Sequence, residues 1–409
     1  MGAMDCAPTQ RQAESRRWHE VPRAGLRPSQ REYMTTEEMP VTPKERFLAA
    51  VRGETPDMVP VSPLIHCRYA HKHLGRSDWK AVFDVHRELG SIAFRGPIGI
   101  GVQADIPGEW SHEVNVIEDG PRVTQEDIWH TPQGDLRSVH VHGMIEGDPL
   151  VGKHTEYPIK GPDDWRIYLE YCQEWLRHAG EPDTSTADEA FEAMGEDGVP
   201  SVALGCAYAA LGDQRGMQDL MTDLLDYPDL MREVMDLQQQ ISCKHVDAFL
   251  AAKSEVGWYD ICWATGSRLG PRLFEEWIVP DIARVVEKVR AVPGKYIGYY
   301  TLGRLRELMP AIADTRPHFV ETFEPNEGDL TLAEAKRLYG DQMCLMGNFD
   351  CVILARGSVE DARAEARRCL DEGMEGGGYV MVTADEVPAD AEWDNLKAMV
   401  EVAAEHGVY

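Results

Sequence analysis

The alternation of short apolar runs with helical segments between residues 295 and 350 is the feature that most constrains what this chain can fold into. The apolar runs, each of a length typical of a buried strand, are Tyr296–Thr301, Phe319–Phe323 and Met343–Gly347. Two segments with helical period separate them, Arg304–Asp314 and Thr331–Tyr339. Strands that are joined by helices run parallel, and both faces of their sheet are buried. The stretch therefore predicts two βαβ units of an α/β fold.

The same alternation recurs on both sides of this stretch. Further apolar runs of strand length are Val59–Pro63, Ser91–Phe94, Ser201–Gly205, Trp258–Trp263 and Tyr379–Thr383. Six to eight strand–helix repeats, with polar loops where the strands end, predict a (β/α)8 TIM barrel. At 409 residues the chain is long enough to bury the core of such a barrel.

Residues 113–154 depart from this pattern. Apolar and polar residues alternate on both sides of the turn signal Thr131-Pro132-Gln133-Gly134, which predicts an antiparallel β insertion. Residues 1–40 are polar and without clear period, so we expect a flexible N-terminal extension ahead of a barrel domain at residues 41–409. Residues 181–198 are predicted to be an acidic connector, and Arg272–Val292 a single helix.

Charge and composition exclude several classes of function. A formal net charge of −29 argues against nucleic acid as a partner, because phosphates require an excess of Lys and Arg. No apolar run approaches the roughly 20 residues of a membrane span, and no signal-peptide pattern opens the chain. The nine Cys residues form no CxxC pair, and we expect reduced thiols in a cytoplasmic protein.

Polar side chains gather where the predicted strands end, which is where α/β folds bind their ligands. The set contains acids, cations, thiols and aromatic residues: His66, Cys67, Arg68, Arg95, Cys206, Tyr208, Asp260, Cys262, Trp263, Tyr300, Glu321, Glu324, Asn348, Asp350, Asp385 and Glu386. This mixture suits a small polar or aromatic substrate with general acid/base help. No Walker-type or GxGxxG fingerprint stands at a strand–helix junction, so a phosphate cradle is disfavoured.

Several of these residues have two interpretations. Cys67, Cys206 and Cys262 follow apolar strands, where free Cys is commonly a small core residue. His66, Cys67 and Cys262 with the carboxylate of Glu324 could instead form a zinc site with one open position.

The acidic and aromatic candidates also keep alternatives. Glu324 is either a site residue or a cap for the helix that follows, and Asp260 is either an orienting carboxylate or a buried partner of Arg268. Tyr299 and Tyr300 are adjacent and must face opposite sides of a strand. We interpret His112, His130, His140 and His142 in the insertion as surface residues, although alternation places His140 and His142 on one face.

Five segments of the chain resemble the uroporphyrinogen decarboxylase superfamily. They are residues 42–63, 223–237, 267–286, 332–350 and 375–401, and the order and spacing of MGNFD (346–350) and GGGY (376–379) are the most specific part. The resemblance covers roughly residues 42–407 and implies a (β/α)8 barrel. It also implies one of two activities, which are decarboxylation of a porphyrinogen without a cofactor and methyl transfer to or from a corrinoid protein, usually with zinc.

The motifs of both branches are altered in this chain. Thiol-dependent methyltransferases of the superfamily carry a His-x-Cys pair and a later Cys as zinc ligands, and the matching positions hold Tyr300, Leu302 and Asp385. The decarboxylases carry an Arg-rich first loop and an Asp after the second strand. Here Arg68 is the one matching Arg, and the second position falls at Arg95. Porphyrinogen decarboxylation is therefore disfavoured.

The leading hypothesis is a methyltransferase that moves a methyl group from a small O-methylated or N-methylated substrate to the cobalt of a separate corrinoid protein. No leftover segment is long enough for a corrinoid domain, so a partner would carry the corrinoid. The expected catalytic residues are Glu324, Asp260, Tyr300 and Asp385. The expected substrate-binding residues are His66, Arg68, Arg95, Trp263 and Asn348. Metal ligands stay undetermined, with His66, Cys67, Cys262 and Glu324 as candidates for zinc.

Two rival hypotheses come from other classes. The first is a lyase that decarboxylates a small carboxylate without a cofactor, with Arg68 and Arg95 binding the acid and Tyr300 or Asp385 handling the proton. The second is a binding protein on a barrel that has lost its chemistry. By analogy with barrels of this kind we expect a homodimer.

Overall fold

The structure, a computed structural model, describes residues 41–94, 98–144 and 150–409, so the N-terminal extension and Arg95 lie outside the described residues. The strands are β1 Gly101–Ala104, β2 Ser111–Asp119, β3 Arg122–Thr131, β4 Gly134–His142, β5 Gly152–Glu156, β6 Ala179–Asp183, β7 Ser201–Gly205, β8 Val256–Asp260, β9 Tyr296–Tyr300, β10 Phe319–Thr322, β11 Cys344–Gly347 and β12 Tyr379–Val380.

The helices alternate with the later strands. They are α1 Pro43–Val51, α2 Cys67–Leu74, α3 Trp79–Leu89, α4 Pro162–His178, α5 Ser185–Met194, α6 Ala207–Arg215, α7 Met217–Asp226, α8 Pro228–Ala251, α9 Gly270–Trp277, α10 Val279–Arg290, α11 Met309–Asp314, α12 Leu332–Tyr339, α13 Cys351–Arg356, α14 Val359–Gly373 and α15 Trp393–His406. A short 3₁₀ helix spans Gly195–Asp197.

Six strands form one parallel sheet in the order β12-β11-β10-β9-β8-β7. Strands that neighbour each other in the sheet are consecutive in the chain and are joined through helices. The α/β class and the two βαβ units predicted for residues 295–350 are therefore confirmed. This sheet positions the strand-end residues that the sequence singled out.

Two short segments extend the parallel hydrogen bonding beyond the six strands. An isolated parallel bridge joins Val61 to Met381, and another joins Ala93 to Gly198. Between the two segments, the backbone amide of Ile92 donates to the carbonyl of Val61 over 2.9 Å. Residues 59–63 and 91–94, which the sequence predicts as strands, thus contribute isolated bridges.

The two faces of the sheet bury different residues. Tyr299 packs against the helices and donates its hydroxyl to the carbonyl of Ile282 over 3.0 Å, whereas Tyr300 lies on the opposite face. The prediction that these two tyrosines face opposite sides is confirmed. On the Tyr300 face, Gly298 allows the close approach of Phe319, because a Cβ atom at Gly298 would lie 2.3 Å from the Phe319 ring.

Helix α1 covers the amino end of the Tyr300 face. The Thr42 hydroxyl caps this helix by accepting from the amide of Glu45 over 3.2 Å, and Pro43 occupies its first turn. The buried side chain of Phe47 belongs to the same apolar cluster as Val256 and Phe319, which begin β8 and β10. The amino end of this face is therefore filled with apolar side chains.

The predicted insertion is an antiparallel sheet in the order β2-β3-β4-β5. It spans residues 111–156, close to the predicted 113–154, and the turn between β3 and β4 is the predicted Thr131-Pro132-Gln133-Gly134. A second antiparallel pair, β1 with β6, lies beside it in the chain. The insertion prediction is confirmed.

Two local predictions were wrong. Residues 181–198 contain the end of β6 and helix α5, whose buried stripe consists of Ala187, Ala190 and Met194 and is too small in volume to stand out in the sequence. The single helix predicted for Arg272–Val292 is two helices, because Pro280 cannot donate a backbone hydrogen bond and begins a new helix.

Within residues 41–94, 98–144 and 150–409, no helix has the length and apolar character needed to cross a membrane.

Candidate active site

Three strands of the parallel sheet place an acidic, a phenolic and a second acidic side chain in one row at their carboxyl ends. Asp260 on β8 is the register partner of Tyr300 on β9, and Tyr300 is the register partner of Glu321 on β10. Register partners on neighbouring strands share a face and lie about 4.8 Å apart. All three residues are buried, with 6%, 5% and 0% of their surface exposed. We call Asp260, Tyr300 and Glu321 the strand-end row.

Trp258 supports this row from one level below on the same face. Its indole ring lies 4.8 Å from the Tyr300 ring, centroid to centroid, and its Nε1–H donates to Oε2 of Glu321 over 2.6 Å. A hydrogen bond to a buried carboxylate is charge-assisted and strong. Trp258 therefore fixes the position of both the phenol ring and the Glu321 carboxylate.

The loop that follows β12 joins the row through Tyr300. The Tyr300 hydroxyl donates to Oδ1 of Asp385, and the backbone amide of Glu386 donates to the same oxygen over 2.7 Å. The Thr383 hydroxyl donates to the carbonyl of Asp385 over 2.7 Å, which holds the loop in this conformation. Two predicted catalytic residues, 85 positions apart in the chain, are in direct contact.

The start of α2 approaches the same loop. Nε2 of His66 lies 3.7 Å from Oε1 of Glu386, and Nδ1 of His66 lies 3.2 Å from the Cys67 sulfur. Arg68 follows in the first turn of α2 and is half-buried. Arg95, the other predicted substrate-binding cation, lies outside the described residues.

The loop after β8 is organised by Asp260. Its Oδ1 accepts from the backbone amide of Cys262 over 2.8 Å. Burial, together with the charge of Asp260, raises the pKa of the Cys262 thiol far above its ordinary value. The half-buried Trp263 carries the guanidinium of Arg268 over its ring at 4.5 Å.

Glu324 and Asn348 are bound to neighbouring backbone and side chains. The Glu324 carboxylate accepts from the backbone amides of Asn326, over 2.6 Å, and of Glu327, so both oxygens stabilise their own turn. The buried Asn348 accepts from a guanidinium nitrogen of Arg368 over 3.0 Å through its side-chain oxygen. These contacts show how both residues are held at the ends of β10 and β11.

The described residues contain no group of three or more His, Cys, Asp or Glu side chains that could hold a metal ion. The zinc candidates His66, Cys67, Cys262 and Glu324 thus form no ligand set of their own. Cys67, Cys206 and Cys262 are each at most 6% exposed, which agrees with their interpretation as small core residues.

Four histidines of the insertion were predicted to lie at its surface. The side chains of His112 and His130 are 44% and 39% exposed, as expected of surface residues. Nδ1 of His140 lies 2.7 Å from Nε2 of His142, which confirms that these two share a face. Burial, followed by the neighbouring His142, lowers the pKa of His140 to about 4. These two imidazoles are half-buried.

Three residues of this arrangement were not among the assigned site residues. Glu321 and Glu386 stood only in the broader strand-end set, and Trp258 was absent from it. Trp258 could have been predicted from the sequence, because residues two apart on a strand share a face and Trp258 precedes Asp260 by two positions. The contact of Glu386 with His66 joins distant parts of the chain and left no local signal.

Comparisons with known proteins agree with the expected resemblance to the uroporphyrinogen decarboxylase superfamily. The family model described as uroporphyrinogen decarboxylase (URO-D) matches residues 203–406. The uroporphyrinogen decarboxylase of Neisseria meningitidis serogroup C / serotype 2a is 23% identical over 214 residues, covering 52% of this chain and 58% of the relative. That of Neisseria gonorrhoeae strain NCCP11945 is 23% identical over 218 residues, with the same coverage. The chain thus spans 58% of the length of the curated relatives it matches.

A solved structure described as a methyltransferase from Methanosarcina mazei is similar over most of its length. The TM-score is 0.62 at 18% sequence identity, and the match covers 90% of this chain and 99% of that chain. At this identity the similarity establishes a shared fold.

Proposed function

Starting from the confirmed resemblance of this chain to the uroporphyrinogen decarboxylase superfamily, we propose that it is a methyltransferase. It takes a methyl group from a small O-methylated or N-methylated substrate and passes it to a corrinoid on a separate protein. The observation that carries the proposal is the Tyr300–Asp385 hydrogen bond. These residues occupy two positions where thiol-dependent members of the superfamily hold zinc ligands, so a proton-handling pair stands in place of a thiol-activating metal.

The strand-end row supplies the chemistry that methyl removal needs. When the carbon–oxygen or carbon–nitrogen bond of the substrate breaks, its electron pair stays on the oxygen or nitrogen, which must then be stabilised or protonated. Asp260 and Glu321 flank Tyr300 at one strand spacing, and either carboxyl could give that atom a proton when it is in its protonated form. Asp385 accepts the hydrogen bond from the Tyr300 hydroxyl and so fixes the direction of that O–H bond. The corrinoid, when its carrier presents it, supplies the nucleophile that accepts the methyl group.

The approach of both ligands follows from the packing of the Tyr300 face. Helix α1 fills the amino end of that face, so substrate and carrier would reach the row from the carboxyl ends of the strands. We further propose that residues 59–63 and 91–94 close the six-stranded sheet into the eight-stranded barrel of the superfamily, through the bridges at Val61 and Ala93. A homodimer is part of the proposal by analogy with such barrels.

Zinc has no step in this proposal, because the described residues do not fit it. They offer no group of three suitable ligands. Tyr300, Leu302 and Asp385 stand at the positions of the thiol-type zinc ligands, and Leu302 has no donor atom.

A cofactor-free decarboxylase of a small carboxylate is the second candidate function. The curated relatives are uroporphyrinogen decarboxylases, which favours this reaction class. A porphyrinogen with several carboxylates requires several basic groups, whereas the described residues at the start of α2 supply His66, beside the loop after β12, and Arg68 two residues later. A smaller acid therefore suits the site better.

One experiment separates the two reactions. Purified protein is mixed with free cob(I)alamin, as a surrogate for the carrier, and with a panel of methoxylated aromatic compounds and methylamines. Methyl transfer converts the cob(I)alamin spectrum to that of methylcobalamin, while release of CO₂ from a panel of small carboxylates is followed in parallel without corrinoid. Methylcobalamin formation supports the proposal, and corrinoid-independent CO₂ release supports the lyase. Ligand-induced thermal stabilisation without turnover in either assay would favour the binding protein.

A further inference from the structure

A cavity of about 250 Å³ lies between the insertion and helices α4 and α8, apart from the strand-end row. Strand β3 of the insertion contributes Trp129 to its wall, helix α4 contributes Tyr168, Tyr171 and Trp175, and helix α8 contributes Gln238 and His245. None of the residues that line it is Asp, Glu, Lys or Arg, although the chain carries a formal net charge of −29.

The aromatic wall follows from the helical period of α4. Tyr168, Tyr171 and Trp175 are spaced three and four residues apart, which places them on one face of the helix. The rings of Trp175 and His245 are stacked with centroids 5.9 Å apart. Trp129 approaches from the insertion. Four aromatic side chains, one from the insertion and three from helix α4, therefore line the same cavity.

The polar atoms of the wall are arranged as one donor and one acceptor. The Tyr168 hydroxyl donates to Oε1 of Gln238 over 2.8 Å, which leaves the Gln238 amide nitrogen as a donor. Nδ1 of His245 lies 3.1 Å from the carbonyl of Ile241, and a carbonyl can only accept, so Nδ1 carries the proton and Nε2 is an acceptor. Burial lowers the pKa of His245, so the ring is neutral at neutral pH. In the described part of the chain, neither Nε2 of His245 nor the Gln238 amide nitrogen has a hydrogen-bond partner.

These features define the chemistry of an occupant. A charged ligand would lose its hydration without gaining an opposite charge. Aromatic walls favour a planar ring, and a cavity of about 150 Å³ already holds benzene, so about 250 Å³ has room for a fused bicyclic ring. We propose that this cavity is a second binding site, which takes an uncharged heteroaromatic molecule carrying both a hydrogen-bond donor and an acceptor. The inference does not depend on the proposed methyl transfer.

The test uses 7-azaindole, a neutral bicycle with adjacent N–H and ring nitrogen, in isothermal titration calorimetry with the full chain. We expect saturable binding to the wild-type protein and none for benzoate, which is aromatic but charged. Gln238→Leu removes the amide donor and should weaken binding about tenfold or more. Val102→Phe places a ring in the cavity and should abolish binding. Tyr300→Phe, in the strand-end row, should bind as the wild type does.

Three results would overturn the inference. One is the absence of saturable binding by the wild-type protein at millimolar 7-azaindole, a measurement that depends on no variant. Another is wild-type affinity in both Gln238→Leu and Val102→Phe, with their far-ultraviolet circular dichroism unchanged. The third is loss of binding in Tyr300→Phe, which would place the probe in the strand-end row.

Discussion

The phenolic hydroxyl of Tyr300, at the end of β9, donates a hydrogen bond to the carboxylate of Asp385, 85 residues further along the chain. The donor is held by ring contact with Trp258, and the acceptor is held by the backbone amide of Glu386. Because both partners are fixed by other contacts, the pair keeps its geometry without a ligand.

Removing the Tyr300 hydroxyl should lower turnover with little loss of stability. We expect Tyr300→Phe to reduce kcat by about a hundredfold, the range of general acid/base contributions, because Asp385 then has no phenol to orient. The free energy of unfolding should fall by about 1 kcal/mol for one lost hydrogen bond. Steady-state kinetics and urea unfolding measure both quantities.

Tyr299→Phe is the matched control. It removes a hydroxyl of the same strand that donates to the carbonyl of Ile282 on the helix side. Its unfolding free energy should fall by a similar amount, while kcat stays at the wild-type value. Equal turnover in the two variants would show that the Tyr300 hydroxyl has no role in the reaction.

Glu321 and Glu324, which lie three positions apart near the end of β10, should affect kcat differently when their charge is removed. Glu321→Gln should reduce kcat about a hundredfold or more, because Glu321 lies in the strand-end row and is held by Trp258. Glu324→Gln should change kcat by less than about threefold, because both Glu324 oxygens already accept from the turn that follows. The kcat values of the two variants are measured side by side. A larger loss of kcat in Glu324→Gln than in Glu321→Gln would mean that Glu324 is the catalytic acid.

These cases show which parts of the site could be predicted from the sequence. Alternation along β9 was enough to separate Tyr300 from Tyr299, because the side-chain period of a strand is fixed. The hydrogen bond between Trp258 and Glu321 joins residues 63 positions apart, and its existence depends on strand register. Register is set by packing across the whole sheet, which no local pattern contains.

The same distinction applies to the fold. Helices α4 and α15 bury large apolar side chains at helical spacing, such as Trp165 and Met399, whereas α5 was missed because its buried residues are mostly alanine. The turn that engages Glu324 was ambiguous for a different reason, since a carboxylate can serve a backbone turn or a ligand equally well from sequence alone.

Asp281 should make stability depend on pH in an unusual direction. Burial raises the pKa of this carboxyl from 3.8 to about 6, although it accepts from the amide of Ala207 and from the Tyr259 hydroxyl. Between pH 4 and 6 the unfolded chain loses this proton while the folded protein keeps it, so the contribution of Asp281 to stability falls as pH rises. Over that window the loss amounts to about 3 kcal/mol.

Urea unfolding of the wild type and of Asp281→Asn between pH 4 and 7.5 measures this contribution. The stability difference between the two proteins should change by about 3 kcal/mol across the window and be constant above pH 7. Taking the difference removes titrations that both proteins share. A difference independent of pH would mean that Asp281 ionises normally in the folded protein.

Metal analysis tests the absence of zinc from the proposed reaction. We expect zinc well below one equivalent by plasma mass spectrometry and no loss of turnover after dialysis against a chelator, because the described residues form no three-ligand group. Cys262→Ser and Glu324→Gln should leave the metal content unchanged. Near-stoichiometric zinc that disappears in these variants would establish a metal centre built from them.

Gly298 tests the packing that supports the row. A Cβ atom there would lie 2.3 Å from the ring of Phe319 and 2.4 Å from its carbonyl oxygen, so Gly298→Ala should lower the free energy of unfolding by about 1–3 kcal/mol. Gly205→Ala is the control on β7, because no atom lies within 4 Å of its added Cβ. Thermal unfolding compares them, and equal midpoints would show that β9 and β10 can separate at no cost.

The apolar filling supplied by helix α1 has a kinetic consequence. Because the amino end of the site is filled, under the proposed reaction the methyl donor arrives, and its demethylated product departs, on the side where the corrinoid carrier docks. A carrier that docked too early would exclude the donor, and one that stayed too long would retain the product. The apolar filling at the amino end of the Tyr300 face therefore imposes the order of these events. The demethylated product should compete with the methyl donor for enzyme that has neither of them bound.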